Sequence, residues 1–188
     1  MKVMYDTLNH YEEVEDRIRS LPFDGVVSPV DNILYPDIAL IPDDIGGAIH
    51  AQLQGLFPNQ TVHPSFQFAR LSVEGVEAPH SVHNDLSMGE WTSLFYLCDE
   101  GGTDICSHRT EGFGGQPETD ELLSVWQRDT NNNEAWHTDI HIPAERNKLV
   151  AYPADWMHRA VPYQGYGSKD GGDGRLVIVT FFNLEDKT

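Results

Sequence analysis

The spacing of apolar residues predicts helices in the first third of the chain and strands in the remainder. Leu8–Ser20 repeats apolar residues at helical spacing and carries acids on its other face, which is typical of an amphipathic helix. A second helix is expected to begin at Pro42, because two aspartates follow it and acids favour a first turn. Four prolines interrupt residues 22–42, so only short extended pieces, chiefly Asn32–Leu40, are expected there. The apolar stripe of the second helix runs through Ile45, Ile49, Leu53 and Leu56.

From about residue 63 the pattern becomes that of short strands separated by turn residues. Two glycine-rich stretches, Glu111–Asp120 and Gly165–Gly174, are expected to be loops and are candidate lids over a substrate. Two helices followed by about eight strands favour a mainly β sandwich or jelly roll. We expect one domain, with residues 1–62 as a helical and irregular support and residues 63–188 as the jelly-roll core. After a first strand at Phe66 and the His83–Asp85 segment, the predicted strands are Trp91–Cys98, Thr103–Ser107, Leu122–Arg128, Ala135–Ile142, Lys148–Tyr152, His158–Val161 and Arg175–Asn183.

The composition disfavours several classes of protein. The chain has 12 Lys and Arg against 30 Asp and Glu, a formal charge of −18, which repels a phosphate backbone and makes nucleic-acid binding an unfavourable interpretation. Its two cysteines, Cys98 and Cys106, are too few for a disulfide framework. Residues 1–20 are too polar for a signal peptide, and no apolar run approaches membrane-spanning length. We therefore expect a cytoplasmic protein without a membrane segment.

The segment His83-Asn84-Asp85, combined with the distant His158, predicts a metal site. In an extended strand, positions i and i+2 face the same way and lie roughly 6.6 Å apart along the strand. His83 and Asp85 could therefore bind one ion, and a third ligand, His158, would come from another strand. Two imidazoles and one carboxylate on one face of a metal, with the opposite positions open, are typical of non-haem Fe(II) oxygenases.

A second segment, His137-Thr138-Asp139-Ile140-His141, also contains His-x-Asp. In a strand its two histidines would stand about 13 Å apart, which is too far for both to bind one ion. His137 also precedes His158 by only 21 residues, whereas His83 precedes it by 75. We interpret this segment as an alternating strand whose Trp136, Thr138, Ile140 and Ile142 face inward and whose polar side chains are solvated or line a cleft.

The order of the motifs between Phe66 and Asn183 resembles that of the 2-oxoglutarate and Fe(II)-dependent dioxygenases, most closely their prolyl-hydroxylase-like branch. This resemblance implies a double-stranded β-helix, a form of jelly roll, and implies that His83, Asp85 and His158 bind Fe(II) and take part in catalysis. It also implies 2-oxoglutarate as cosubstrate. The motifs are, in chain order, His83-x-Asp85, Leu94-Phe95-Tyr96-Leu97, Gly101-Gly102-Thr103, Asn147-Lys148-Leu149-Val150-Ala151-Tyr152-Pro153, His158 and Arg175 before a β-run.

The same resemblance assigns Arg175 to the distal carboxylate of 2-oxoglutarate and Tyr96 to a hydrogen bond with the cosubstrate. A dianion that enters a protein of charge −18 needs compensating positive charge, and a guanidinium binds a carboxylate through two parallel bonds. Arg175 would share one strand face with Val177, Val179 and Phe181. The chain departs from the family at Val179, where relatives often have a hydroxyl residue, and in the longer spacing between His158 and Arg175.

The implied reaction is hydroxylation of a substrate with consumption of O2. The substrate is left open as a peptidyl proline, an amino acid or another small metabolite. One alternative is a cupin-like metal-dependent oxygenase that does not use 2-oxoglutarate, which would have no need of Arg175. The other is a non-catalytic β-sandwich that binds a carbohydrate or a protein, in which the three ligand candidates would not converge.

Overall fold

The computed structural model describes residues 1–27, 32–76, 79–170 and 173–187. Residues 171–172 of the second glycine-rich loop lie outside these ranges. The three α-helices of the described chain are α1 (Tyr11–Arg19), α2 (Asp43–Leu56) and α3 (Asp120–Asp129), and a 3-10 turn spans Asn133–Ala135. The strands are β1 (Lys2–Met4), β2 (Val26–Val27), β3 (Leu34–Tyr35), β4 (Ile38–Leu40), β5 (Gln60–Ser72), β6 (Trp91–Tyr96), β7 (Gly102–His108), β8 (Trp136–Pro143), β9 (Lys148–Pro153), β10 (His158–Val161) and β11 (Arg175–Asp186).

The strands form two principal antiparallel sheets. The larger sheet has the order β1-β9-β6-β11-β5-β4, and the smaller has the order β10-β7-β8. A separate hairpin joins β2 and β3. The prediction of a mainly β fold with N-terminal helices is confirmed. Both β1 and β4, which come from the first 62 residues, are edge strands of the larger sheet, and β5 begins at Gln60. The division of the domain at residue 62 stays a prediction.

The central strands of the larger sheet are buried on both faces. One face packs against α1 and α2 through residues such as Ile18, Ile49 and Phe95, and the other faces the smaller sheet through residues such as Leu94 and Val179. Strands covered on both sides have no polar face, so their sequences are continuous apolar runs. This explains why β6, β9 and β11 were readily predicted from the sequence.

The two N-terminal helices lie where the apolar spacing placed them. Ile45, Ile49 and Leu53 of α2 are buried in the core, as is Ile18 of α1. Asp43 and Asp44 occupy the first turn of α2, where carboxylates interact favourably with the helix dipole. No helix in the described part of the chain is long and apolar enough to span a membrane.

The prediction of a strand at Leu122–Arg128 is wrong, because this segment belongs to helix α3. The side chain of Thr119 caps the helix by accepting a hydrogen bond from the backbone N–H of Leu122, and Asp120 and Glu121 follow in the first turn. A Thr cap before two acids is a recognised helix start. The apolar positions 122, 125 and 126 have the i, i+3, i+4 spacing of a helix rather than the alternation of a strand, so the sequence contained a second signal for the helix.

The expectation that His83–Asp85 forms a strand is also wrong in part. His83 makes a single antiparallel bridge to His158, and Asn84 and Asp85 are in irregular backbone. Val82, next to His83, accepts hydrogen bonds from Trp126 Nε1 and Thr130 Oγ1 at its carbonyl oxygen. Helix α3 therefore holds a segment that has no complete ladder of its own.

We predict that Gly101→Ala destabilises the fold more than Gly112→Ala does. Both glycines have positive φ values, 79° and 74°, so either alanine costs about 1–2 kcal/mol. A Cβ at Gly101 would also collide with the backbone oxygen of Val161, whereas one at Gly112 meets nothing within 4 Å. Urea unfolding of both variants measures the difference, and equal losses of stability would contradict the close approach at Gly101.

Candidate metal centre and its cavity

The three predicted ligands come together at the bottom of one cavity. His83 Nε2 lies 3.7 Å from Asp85 Oδ1, and His158 Nε2 lies 3.3 Å from Asp85 Oδ2. One ligand atom from each residue lies within 4.8 Å of the other two. Ligands that bind one ion at 2.0–2.2 Å with angles near 90–110° stand about 3.0–3.5 Å apart. The donor atoms are therefore close to the spacing that a shared ion requires.

Backbone contacts hold these ligands in place although 75 residues separate the two histidines. The N–H of His83 donates to the carbonyl of His158 at 3.0 Å, and the N–H of His158 donates back at 2.8 Å. The N–H of Asp85 donates to the carbonyl of Ala154 at 2.8 Å. The segment at His83 thereby extends the smaller sheet at its β10 edge and carries Asp85 to the same place.

Hydrogen bonds at the far side of each imidazole direct Nε2 into the site. His83 Nδ1 lies 3.3 Å from the carbonyl oxygen of Ser81, and His158 Nδ1 lies 3.0 Å from that of Trp156. A ring N–H that donates to a carbonyl leaves the opposite nitrogen unprotonated and free to bind a metal. Thr92 donates to Asp85 Oδ2 at 2.8 Å, so Oδ1 is the carboxylate oxygen left for an ion.

The electrostatics of the three groups suit a cation. Burial and the neighbouring His158 lower the pKa of His83 to about 4, so His83 is neutral at pH 7. Burial raises the pKa of Asp85, but the two histidines and Thr92 outweigh it and hold that pKa at about 2. Burial lowers the pKa of His158, but the adjacent carboxylate reverses this and raises it. The site thus holds an ionised carboxylate beside a neutral imidazole and a second imidazole, His158, from which a metal ion would displace the proton.

This donor set fits Fe(II). Two imidazole nitrogens and one carboxylate oxygen on one side of an ion form the facial arrangement of non-haem iron sites. Among the described residues, His83, Asp85 and His158 make the one group of three or more metal-binding side chains in such proximity. Zn(II) and other divalent ions also accept these donors, so the ligand set defines a class of metal rather than one element.

The rival segment on β8 does not form such a site. His137 and Asp139 are exposed, and His141 Nδ1 lies 2.7 Å from Asp104 Oδ1 on β7. A register shift between β7 and β8 at Ile105/Cys106 puts Ile140 and Ile142 out of phase with Trp136 and Thr138. The expectation that all four residues face inward together is therefore wrong, and Ile140 is 39% exposed. The sequence carries no sign of this bulge.

Arg175 lies inside the protein rather than in solvent. Its side chain lines the same cavity as the three ligand candidates, and the residue is only 3% exposed. Nε donates to the carbonyl of Gly102 and Nη2 donates to Thr103 Oγ1, both at 3.0 Å. Val177 and Val179 line the cavity beside it. The predicted shared face is present.

Tyr96 is placed differently from the role that the resemblance implies. Its hydroxyl is buried and donates to Thr103 Oγ1 at 2.9 Å, and the cavity wall is formed by Thr103 instead. Thr103 accepts from both Tyr96 and Arg175, which leaves its own hydroxyl proton free to donate into the cavity. A hydroxyl thus lies beside the arginine although Val179 departs from the family pattern. This hydroxyl, that of Thr103, belongs to the Gly101-Gly102-Thr103 motif that was already noted in the sequence.

Tyr152 is a site residue that sequence reasoning missed. Its side chain lines the cavity, and its ring packs edge-on against His158 with centroids 5.2 Å apart. Its hydroxyl is buried without a hydrogen-bond partner among the described residues. Burial, together with the Asp85 carboxylate, raises the pKa of Tyr152 well above its usual range, so the hydroxyl is a donor. A buried donor without an acceptor is costly, so an ordered water or a ligand that accepts a hydrogen bond from it would relieve that cost.

The cavity has a volume of about 550 Å³, which is in the range of small-molecule sites. Its wall is mainly apolar and aromatic and includes a second arginine, Arg70 on β5, that sequence reasoning also missed. Trp126 and Thr130 bring α3 to the wall. The remaining apolar lining consists of Val26, Tyr35, Ile38, Phe66, Phe68, Met88, Leu94, Ala160, Val177, Val179 and Phe181.

Solved structures share this architecture. HygX from Streptomyces hygroscopicus with iron bound is 12% identical and has a TM-score of 0.57, with 98% of this chain and 81% of that chain covered. HygX with nickel, 2-oxoglutarate and hygromycin B bound is 13% identical, with a TM-score of 0.54 and coverage of 98% and 82%. The non-heme alpha-ketoglutarate-dependent epimerase SnoN from nogalamycin biosynthesis is 12% identical, with a TM-score of 0.52 and coverage of 99% and 78%.

The fold is that of the 2-oxoglutarate-dependent non-haem iron enzymes. The predicted double-stranded β-helix is thereby confirmed. No family model matches the sequence, and no curated protein matches it, so the prolyl-hydroxylase-like branch stays a prediction.

We predict that His83→Ala, Asp85→Ala and His158→Ala each reduce the affinity for Fe(II) by at least about tenfold, since three ligands are the minimum for this open type of site. His137→Ala removes an exposed histidine of β8 and is the matched control, so this variant should bind Fe(II) like the wild type. Anaerobic titration with Fe(II), with Co(II) as a spectroscopic substitute, measures the affinity. Wild-type affinity in His158→Ala would remove this residue from the ligand set.

Proposed function

We propose that this chain is an Fe(II)- and 2-oxoglutarate-dependent oxygenase that hydroxylates a small molecule. The single observation that carries the proposal is the buried His83–Asp85–His158 group in the same cavity as the buried guanidinium of Arg175. When bound, the iron supplies the activation of O2 that couples decarboxylation of 2-oxoglutarate to oxidation of the substrate. The protein supplies binding, orientation and exclusion of water.

The ligand residues have separate tasks in this proposal. His83 and His158 present unprotonated Nε2 atoms, and Asp85 contributes the negative charge that partly neutralises the ion. Thr92 keeps the carboxylate oriented through its bond to Oδ2. Such supporting contacts fix ligand geometry and commonly affect metal affinity 10–100-fold.

The cosubstrate would be held by Arg175 together with Thr103 and Tyr152. Arg175 uses Nε and Nη2 on protein oxygens, which fix its plane and leave its remaining N–H donors for the distal carboxylate. Thr103 and Tyr152 add two hydroxyl donors in the same cavity. The apolar walls keep the effective dielectric constant low, so the ion pair is stronger than it would be in water. A cupin-like oxygenase without 2-oxoglutarate would have no use for this arrangement.

A small molecule is the substrate class that the cavity favours. A volume of about 550 Å³ accommodates a cosubstrate and a compact second ligand, and HygX was solved with 2-oxoglutarate and hygromycin B together. Hydroxylation is the outcome we propose, although SnoN is an epimerase. Helix α3 would cover the substrate together with Asn84, whose side chain donates to Gln116 of the Glu111–Asp120 loop at 2.9 Å.

The test of this function is anaerobic addition of Fe(II) and then 2-oxoglutarate. We expect the weak visible charge-transfer band of the chelate, and uncoupled succinate formation when O2 is admitted. Purified protein that binds Fe(II) but never gives the band or succinate would favour the cupin-like alternative. Protein that binds no metal at all would favour the non-catalytic sandwich.

We predict that Arg175→Ala weakens 2-oxoglutarate binding by about 2–5 kcal/mol, because one carboxylate would be left buried and unpaired. Arg175→Lys keeps the charge and loses the two-pronged geometry, so it should fall between alanine and wild type. Arg128→Ala, which removes an exposed arginine, is the control. The 2-oxoglutarate dependence of succinate formation measures the effect, and an unchanged dependence in Arg175→Ala would refute the assignment.

Tyr152→Phe and Tyr96→Phe should have opposite effects on the stability of the metal-free protein. Removing the unpartnered Tyr152 hydroxyl should leave stability equal or higher, whereas removing the Tyr96 hydroxyl breaks a bond to Thr103 and should cost about 0.5–1.5 kcal/mol. With 2-oxoglutarate bound, Tyr152→Phe should weaken cosubstrate affinity by a similar amount. Urea unfolding and band titration measure the two effects. Undiminished cosubstrate affinity in Tyr152→Phe would show that Tyr152 does not contact it.

A further inference from the structure

Arg70 is a second positive charge in the cavity that the cosubstrate does not need. It lies on β5 opposite Val177 of β11, two residues along the register from the pair of Arg175 with Ser72. Directly opposed residues of antiparallel strands point to the same face, and both arginines line the cavity. The two guanidinium groups therefore belong to one compartment.

Strand order separates Arg70 from Thr92 and Tyr96, the two residues of the larger sheet that support Asp85 and Thr103. Thr92, which contacts Asp85, and Tyr96, which supports Thr103, are on β6, on one side of β11. Arg70 is on β5, on the other side of β11. Strands two apart in a sheet are separated by about 10 Å. The cavity wall thus has a cosubstrate half at β6 and β9 and a second half at β5 and β4.

Arg70 makes no direct ion pair with a described residue, and the carboxylates of Asp85 and Asp37 act on it only from a longer distance. Within the described ranges no carboxylate lies at ion-pair distance from it, and no hydrogen bond joins its guanidinium to another residue. The side chain is partly buried. Burial and the neighbouring Arg175 lower the pKa of Arg70, and the Asp85 carboxylate works against them. An unpaired, partly desolvated cation is costly to keep, so an anionic ligand would relieve that cost.

When Fe(II) and 2-oxoglutarate are bound as proposed, the positive charge of Arg70 is the one cavity charge that is not balanced among the described residues. The charge of Fe(II) is balanced by Asp85 and by the keto-acid carboxylate of 2-oxoglutarate. The distal carboxylate balances Arg175. Among the charged side chains that line the cavity in the described part of the chain, only Arg70 then lacks a partner. One negative charge on the substrate would complete the balance.

The surroundings of Arg70 are apolar and aromatic. Ile38 and Val177 flank it in the register, and Phe68 follows on the same strand face. The rings of Phe66 and Phe68 lie 5.3 Å apart, and those of Phe68 and Phe181 lie 5.8 Å apart. A ligand held at Arg70 would therefore rest its uncharged part on a wall of phenylalanines, which suits aromatic or aliphatic groups.

We propose that the substrate is a small acid whose single carboxylate pairs with Arg70 and whose apolar, aromatic-sized body packs on Phe66, Phe68 and Phe181. This inference rests on the proposed function for the identity of the reaction, but the acid-binding site can be tested without turnover. It assigns Arg70 to the substrate and Arg175 to the cosubstrate. The same wall would bind the amide of such an acid more weakly, because the amide shares the shape and lacks the charge.

The test compares three acids with their amides: 3-phenylpropionate, indole-3-acetate and hexanoate. Calorimetric titration uses the metal-free full chain, and then the chain with Ni(II) and 2-oxoglutarate, which does not turn over. We expect at least one acid to bind about tenfold or more tightly than its amide, a difference typical of a charge-assisted bond. Arg70→Gln should abolish that preference, Arg70→Lys should retain part of it, and Arg128→Gln should behave as wild type.

The outcomes separate the two proposals. Wild-type protein that shows no preference for any acid, or Arg70→Gln that keeps the preference with an unchanged melting temperature, overturns the substrate assignment. Loss of the Fe(II)–2-oxoglutarate band in Arg70→Gln also overturns it, because Arg70 would then serve the cosubstrate. Absence of that band in the wild type overturns the proposed function alone, since the metal-free titration still decides whether Arg70 binds an acid.

Discussion

The site depends on the pair of backbone hydrogen bonds between His83 and His158. These bonds join an irregular segment to the edge of the smaller sheet and place two imidazoles with their centroids 4.5 Å apart. Asp85 follows because its own N–H is bound to Ala154. Without this junction nothing would hold the segment of His83 and Asp85 beside His158 on β10. A metal site needs ligands that are positioned before the ion arrives, because otherwise part of the binding energy is used to order the chain.

Helix α3 gives this junction its second support. Trp126 and Thr130 both donate to the carbonyl of Val82, and the N–H of Val82 donates back to Thr130. The residue before the first ligand is thus bound on one side to the helix, while the ligand itself is bound to β10. The same helix forms part of the cavity wall. The helix between β7 and β8 therefore contributes to both ligand geometry and the cavity wall.

The distribution of charge differs sharply between the surface and the cavity. The chain as a whole carries a formal charge of −18, yet two arginines face an apolar cavity. Desolvating a guanidinium opposes folding unless a partner is present. The arrangement is consistent with a protein that binds anions inside while its surface repels them. The solved structures it resembles are only 12–13% identical, so their similarity concerns the fold.

The amino-acid sequence alone was sufficient to predict the elements whose structure depends on a local sequence pattern. The buried strands β6, β9 and β11 could be predicted from their mainly apolar sequences. Helix α2 could be predicted from its apolar stripe and the acids in its first turn. The sequence also named His83, Asp85 and His158 as candidate ligands, and the family resemblance named Arg175; the structure brings these four residues to one cavity, and their roles stay predictions.

Only the tertiary structure could decide which side chains face one another. Tyr96 and Tyr152 are both tyrosines in apolar strands, and no local pattern shows which hydroxyl meets Thr103 and which faces the cavity without a partner. In the sequence, Arg70 is an ordinary arginine in a half-polar strand. Only the pairing of β5 with β11 shows that it faces the same side as Arg175. The helix at Asp120 is a different case, because its i, i+3, i+4 apolar spacing and its Thr119 cap were both local signals. Local sequence determines the period and burial of each element, whereas strand register, formed by hydrogen bonds between distant segments, determines the composition of the site.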